Sequence, residues 1–414
     1  MKKAFLALAA VILAAACTTA PSGNVSIQRV SPESVGLDPD KLALADQIFE
    51  EAIADSTIPG AVLAVVRHGK IAMMKAYGMK SLVPEKEPMT TETVFDLASC
   101  SKCVGTTLSF MQLVEQGKVR LTDRVDRYIP DFKPWTDPQT GEQVHITVEN
   151  LLSHSSGVDP YLSVARFVEE YGENCPDTLM RVIATKTGRN FRPGTDFMYS
   201  CLNFITLQNI LQNVTGERLC DYAQKNVFDA LGLNHTCYMP LTGERSCSNA
   251  DEIAALCAPT EVQADGLPLL AATHDPIARR LNSGNSGNAG VFSCAEDLCK
   301  VTACLLAGGE FGGHRILSPA TVRTMFTIPA SNDPKVGRAL GWDSNSSHSS
   351  LKGDLLSRDR SFMHTGYTGP SIVMDLDNDL AVIILAHRVH PKDKGGLGRL
   401  RAQVANIVAG ALTD

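Results

Sequence analysis

The chain lacks most of the short signatures by which an enzyme is usually recognised. Its 414 residues contain no G-x-S-x-G turn, no H-E-x-x-H helix and no G-x-G-x-x-G loop. That excludes the common nucleophile elbow, the zinc-protease helix and the dinucleotide-binding turn. Basic residues never gather into a block, and 38 Lys and Arg against 45 Asp and Glu leave a net charge of −7, so nucleic acid is not an expected partner. There is no internal repeat, and beyond the first residues no run is long and apolar enough for a transmembrane helix. A disulfide framework is also missing, although there are 12 cysteines. Setting aside Cys17 leaves an odd number, which cannot all pair within one chain. The C-x-x-C of Cys100 and Cys103 has no second pair at zinc spacing, so the cysteines read as small buried apolar residues and no metal or other cofactor is called for.

What is present begins at the N-terminus. Met1-Lys2-Lys3 is basic, and residues 4–16 are an unbroken apolar run ending in small residues before Cys17. The run is too short to span a bilayer and has the layout of a secretory signal. The small residues before Cys17 resemble a bacterial lipoprotein cleavage box, with Leu13 one place earlier than usual. The expectation is a signal peptide over 1–16, a lipidated Cys17 with a tether over 17–30, and one domain over 31–414. Such a chain would sit in a bacterial cell envelope, anchored to the membrane through Cys17 and facing the periplasm.

Within that domain, 60–77 reads as two strands about a turn at His68-Gly69, and 371–389 as a hairpin about Asp377-Asn378. Helices are expected over 97–115 (closing near Gly117), 148–152, 203–214, 295–306 and 397–411. Residues 344–350 read as a polar loop. Strands at both ends with helices between them predict an α+β fold rather than βαβ units.

S-x-x-K occurs twice, and roughly one match is expected by chance at this composition. Ser349-Ser350-Leu351-Lys352 lies in the polar loop. Ser99-Cys100-Ser101-Lys102 instead opens the long helix, where residues three apart share a face. A partly desolvated Lys102 would have its pKa lowered and could take the Ser99 proton, while the Ser99 N–H at the helix start would face a developing oxyanion. A capping serine with a solvated lysine would give the same motif, so the neighbouring signals decide. Tyr199, in Phe197-Met198-Tyr199-Ser200, precedes a helix and can present its phenol to a cleft. Phe362-Met363-His364-Thr365-Gly366-Tyr367-Thr368-Gly369 precedes the last hairpin, where small residues let an edge backbone approach a substrate.

In this order the elements resemble the family of class C β-lactamases, D-alanyl-D-alanine carboxypeptidases and related serine esterases. The resemblance rests on S-x-x-K, L-L-S-H-S-S-G at 151–157, P-G-T-x-F-x-Y-S at 193–200 and H-T-G at 364–366, and it spans about residues 40–412. It implies an antiparallel sheet flanked by helices with an adjoining helical region and the cleft between. By position it also implies Ser99 as nucleophile, Lys102 as its proton partner and Tyr199 as the group moving protons to the leaving group. His364, Thr365 and Gly366 would bind substrate, and the N–H groups of Ser99 and Tyr367 would form the oxyanion hole, with no metal required. Two departures stand out. Cys201 takes the place of the asparagine of the family's Y-x-N, which contacts the substrate's acyl side, and a thiol is a poor hydrogen-bonding substitute. His364 replaces a lysine that helps hold a β-lactam carboxylate. Both disfavour efficient β-lactamase activity, so the expected function is an esterase or D-amino-acid peptidase acting on a small ester or peptide. The alternative is a binding protein that has lost turnover, and a redox or metal role for the cysteines is a distant third. Lys186-Thr187-Gly188 spells K-T-G before the tyrosine motif, in the wrong order to serve as the third element.

Overall fold

The computed structural model describes residues 25–239, 245–347 and 349–414; Cys17 and its flanks lie outside them. Helix α1 (Leu44–Ala54) leads into strands β1 (Gly60–Arg67) and β2 (Lys70–Ser81), with the short β3 (Glu87–Pro88) beyond. His68 and Gly69 both have positive φ, as the two-residue hairpin turn requires. Near the C-terminus, β4 (Ser361–Thr365), β5 (Ser371–Asp375) and β6 (Leu380–Ala386) complete one antiparallel sheet in the order β4-β5-β6-β1-β2-β3. The two ends of the chain thus meet in the centre of the sheet, where β6 pairs with β1.

Every residue of β1 is buried, because both faces of the sheet are covered. Ala61, Leu63 and Val65 face a cluster that includes Phe49, Val404 and Val408, while Val62, Ala64 and Val66 face the larger core. A strand covered on both faces reads as a continuous apolar run instead of an alternating one. The larger core holds α2 (Leu108–Glu115), α3 (Val148–Leu152), α4 (Cys201–Thr215), α5 (Pro276–Leu281) and α6 (Ala295–Leu306); α7 (Gly398–Gly410) backs the other face. This is the α+β arrangement expected. Among the described residues no helix is long and apolar enough to cross a membrane.

Two local expectations need correction. Residues 97–115 are not one regular helix, since a 3-10 turn at Ala98–Cys100 runs through a π turn at Lys102–Thr107 before α2 begins. The second S-x-x-K is not plain loop but a 3-10 turn, Ser349–Lys352. Its lysine is buried and donates to the carbonyls of Ser344 (2.7 Å), Arg358 (2.7 Å) and Ser361 (3.0 Å), which makes it a structural clamp. The out-of-order K-T-G lies just past the helix Pro176–Thr185, with exposed Lys186 paired to Glu170.

Candidate active site

The turn carrying Ser99 is tied down on three sides. Ala98, just before it, has φ +45°, an unfavourable region for a residue with a Cβ. Buried Asp96 holds that conformation by accepting the Ala98 N–H (2.8 Å), and with its other oxygen it accepts the His274 N–H (2.7 Å). Burial pushes the Asp96 carboxyl up from its ordinary value. The Leu97 N–H donates to the Val291 carbonyl (3.0 Å), and the Thr368 hydroxyl donates to the Asp96 carbonyl (2.8 Å). The last bond brings the H-T-G segment onto the nucleophile turn. Gly366 lets it come close, because a Cβ there would lie 2.4 Å from the Leu97 oxygen. That glycine serves the contact between two protein segments, where the sequence suggested an approach to substrate.

Lys102 is fully buried, and its Nζ lies 3.1 Å from Ser99 Oγ, 2.8 Å from the Asn288 carbonyl and 3.6 Å from Cys201 Sγ. Nζ also sits 5.0 Å from the centre of the Tyr199 ring. The Tyr199 ring is half-buried, but its hydroxyl oxygen is sealed off facing Lys102 and Ser99, without a well-aligned hydrogen bond to either. Burial pushes the Tyr199 phenol above its ordinary value, with the Lys102 charge opposing. The expected fall in the Lys102 pKa is corrected. Burial does push it down, but the negative charge that the Cys201 thiol and Tyr199 phenol would carry on ionising beside the ammonium pushes harder, and the net direction is up. At neutral pH the site therefore holds an ammonium beside a neutral phenol, so the two must share protons as a pair.

Tyr199 is placed by a residue that no sequence motif marked as functional. His154, with φ +56°, accepts the Ser200 N–H on Nδ1 (3.0 Å), while its own carbonyl accepts the Met198 N–H (3.1 Å). Its ring lies 4.4 Å from the Tyr199 ring. The residues on either side of Tyr199 thus hang from His154. Nδ1 is an acceptor, so Nε2 carries the proton. Burial, then the charges of Arg338, Lys102 and His364, hold this imidazole well below its ordinary pKa and keep it neutral. Ser200 caps α4 by accepting the Asn203 N–H, and buried Asn203 accepts the Ser156 hydroxyl (2.7 Å). The Asn203 oxygen is thus committed to Ser156, while Cys201 is the side chain of this helix that faces Lys102.

His364 and Thr365 end β4, an edge strand of the sheet, with the His364 ring 6.0 Å from that of Tyr199 and its Nδ1 3.0 Å from the Thr365 carbonyl. The edge is partly covered where Met363 bridges Asp343. Arg338 and Arg401 were not legible in the sequence, since nothing in their flanks marks them. Arg338 is buried, pairs with Asp343 (3.2 Å) and lies 5.8 Å from the Tyr199 ring. Arg401, on α7, donates to the carbonyls of Gly366, Gly369 and Pro370, and burial lowers its pKa to about 10. The cysteines near Ser99 are poor nucleophiles by position. Cys100 is buried with its thiol pushed up to about 12 by burial, and the Cys201 thiol is also raised. Of the 11 cysteines described, 10 are buried, and all are free thiols.

Ser99 stands where two cavities meet. One, of about 460 Å³, includes Tyr199, Arg338, His364, Thr365, Tyr367 and Arg401 in its wall. The other, of about 430 Å³, includes Tyr161, Cys201, Ile277 and Tyr367. A hydroxyl beside a buried ammonium and a sealed phenol, opening onto two cavities, can form and break an acyl ester.

The family model described as Beta-lactamase matches residues 45–406. A relative in Escherichia coli K12 with the provisional name D-alanyl-D-alanine carboxypeptidase is 28% identical over 413 residues, covering 94% of this chain and 92% of its own. One from Salmonella agona with the same provisional name is 29% identical, covering 87% and 85%. Among solved structures, EstCE1, a hydrolase with promiscuous acyltransferase activity, superposes with TM-score 0.70 at 25% identity, covering 90% of this chain and 99% of its own. A penicillin-binding protein homologue from Caulobacter crescentus shares the fold (TM-score 0.66, 19% identity, 91% and 98% covered).

Proposed function

Because the chain belongs to the Beta-lactamase family of serine hydrolases, we propose that it cleaves an ester or amide through an acyl-Ser99 intermediate, as an esterase or D-amino-acid peptidase rather than an efficient β-lactamase. The observation that carries this reading is the 3.1 Å contact between Lys102 Nζ and Ser99 Oγ, with the sealed Tyr199 hydroxyl facing both. In acylation the Tyr199–Lys102 pair, having first released one proton to solvent, takes up the Ser99 proton as Oγ bonds the carbonyl carbon. The same pair then protonates the leaving alcohol or amine as its bond to that carbon breaks. Water reverses the sequence, restoring the Ser99 hydroxyl and releasing the acid. The N–H groups of Ser99 and Tyr367 are assigned to the oxyanion, while His364, Thr365 and Gly366 line the substrate's path. The E. coli and Salmonella relatives support a peptidase and EstCE1 an esterase. An imidazole at 364 and a thiol at 201 weaken the grip on a β-lactam.

Cys201 also supports a second reading, a cleft that binds without turnover. Intact mass of the protein and of Ser99→Ala, after exposure to an activated acyl ester and separately to a penicillin, decides between them. An adduct on the unaltered protein that the variant lacks is expected; no adduct and no hydrolysis product leaves the binding reading standing. On sequence grounds alone, we further place the mature chain on the periplasmic side of a membrane, held by lipid on Cys17. Loss of membrane fractionation in Cys17→Ser is the check.

A further inference from the structure

The two cavities meeting at Ser99 differ in chemistry, and the difference bears on what is cleaved. Tyr199, the group that must reach the leaving atom, lines only the polar cavity, together with Arg338, His364 and Arg401. The leaving group therefore departs on that side, and the acyl group lies in the other cavity. That second wall is formed largely by Leu162, Val164, Cys201, Pro276, Ile277 and Ala289, with Tyr161 and Tyr367 at its rim, each 58% exposed. Two of its polar members are held by contacts within the protein. Asp275 caps α5 by accepting the Ala278 N–H (2.8 Å), and His274 stacks on Tyr367 with its Nε2 3.3 Å from Glu261.

Cys201 sharpens the point. It lines this cavity together with Ser99, with its thiol turned to Lys102 at 3.6 Å, and a thiol is a weak hydrogen-bonding group. A peptide or penicillin carries an amide just there, and that amide would lose its water without gaining a partner of comparable strength. A plain hydrocarbon loses nothing.

Resting on the serine-hydrolase reading above, we infer that the cavity beside Cys201 and Ile277 is an acyl pocket selecting unsubstituted hydrocarbon acyl groups of medium length, so that the preferred substrates are simple carboxylic esters rather than acylamino compounds. Each methylene buried there is worth about a three- to fourfold gain in kcat/KM.

The test uses p-nitrophenyl esters from acetate to dodecanoate beside an acylamino ester of matched length, such as the N-acetylglycine ester. The unaltered protein should favour hexanoate over acetate by about a hundredfold and over the acylamino ester by at least tenfold. Ile277→Trp fills the pocket and should cut the hexanoate-to-acetate ratio at least tenfold. Val164→Phe, at a half-exposed position, should shift the optimum to shorter chains and covers the case in which the buried tryptophan does not fold. A flat length profile, a ratio unmoved by both variants, or faster turnover of the acylamino ester would each overturn the acyl-pocket assignment while leaving Ser99 as nucleophile. No ester turnover and no Ser99 adduct would remove the hydrolase reading and this inference together.

Discussion

Replacing His154 by phenylalanine should separate what this residue does for the fold from what it does for Tyr199. The ring that packs 4.4 Å from Tyr199 is kept, but the Nδ1 acceptor of the buried Ser200 N–H is lost. An orphaned buried N–H costs about 1–3 kcal/mol, so at pH 7.5 the variant should be less stable by that amount. The gap should close in acid. Native His154 resists protonation, whereas the unfolded chain takes up a proton near the ordinary value of 6.5. As pH falls below that value the unfolded state binds more protons than the native one, and the stability tied to a neutral His154 is lost. At pH 5, about 1.5 units below, the loss is about 2 kcal/mol, and the phenylalanine variant does not suffer it. Urea unfolding at both pH values, with slopes compared to confirm the same transition, measures the difference. A gap of equal size at pH 7.5 and pH 5 would refute a neutral, hydrogen-bonded His154. Esterase kcat should fall in the variant more than KM rises, since the Tyr199 hydroxyl loses its fixed position.

Two further outcomes follow from groups in and beyond the site. Lys102 and Tyr199 both hold their protons more tightly than usual, and the proton-poor pair is the form that accepts the Ser99 proton. Acylation should therefore speed up by about tenfold per pH unit from 7 to 9, and Tyr199→Phe should lower it at least about a hundredfold and flatten the profile; stopped-flow release of nitrophenol reads both. Lys352→Met strands three carbonyls, two of them buried, and should cost about 2 kcal/mol or more in urea unfolding, with Ser99 still labelled by an acyl ester.

Much of this arrangement was legible because it is local. The β1–β2 hairpin declared itself by apolar runs about His68-Gly69, and α6 by its periodicity and the glycines at 308 and 309 that end it. The Ser99–Lys102 contact follows from three residues of helical spacing. What stayed hidden comes from segments far apart in the chain. The carbonyl of Asn288 that receives Lys102, the Asp96 carboxylate that holds Ala98, and Arg338 beneath Tyr199 are ordinary residues until the fold brings them together. The direction of the Lys102 shift was missed although Tyr199 and Cys201 were both expected at the site, because how closely they face the ammonium depends on the fold. His154 enters the sequence only as part of the L-L-S-H-S-S-G motif. Its hold on both neighbours of Tyr199 depends on a left-handed backbone that the motif did not reveal.

The π turn at Lys102–Thr107 has a consequence for how the helix can be built. An α-helix advances about 100° per residue, so the direction in which Ser99 and Lys102 point would normally dictate which residues of α2 face inward. The wider turn, with the Thr107 hydroxyl bonded to the Lys102 carbonyl, takes up one extra residue and resets that phase. Its Gly105 lies so close to Tyr238 that a Cβ would sit 2.4 Å from the phenol oxygen, which pins the wide turn against the strand Cys237–Tyr238. The helix is thus clocked twice, once for the cleft and once for the core. Residues such as Leu108 and Met111 can be repacked without turning Ser99, and the reacting pair can be tuned without unseating the core.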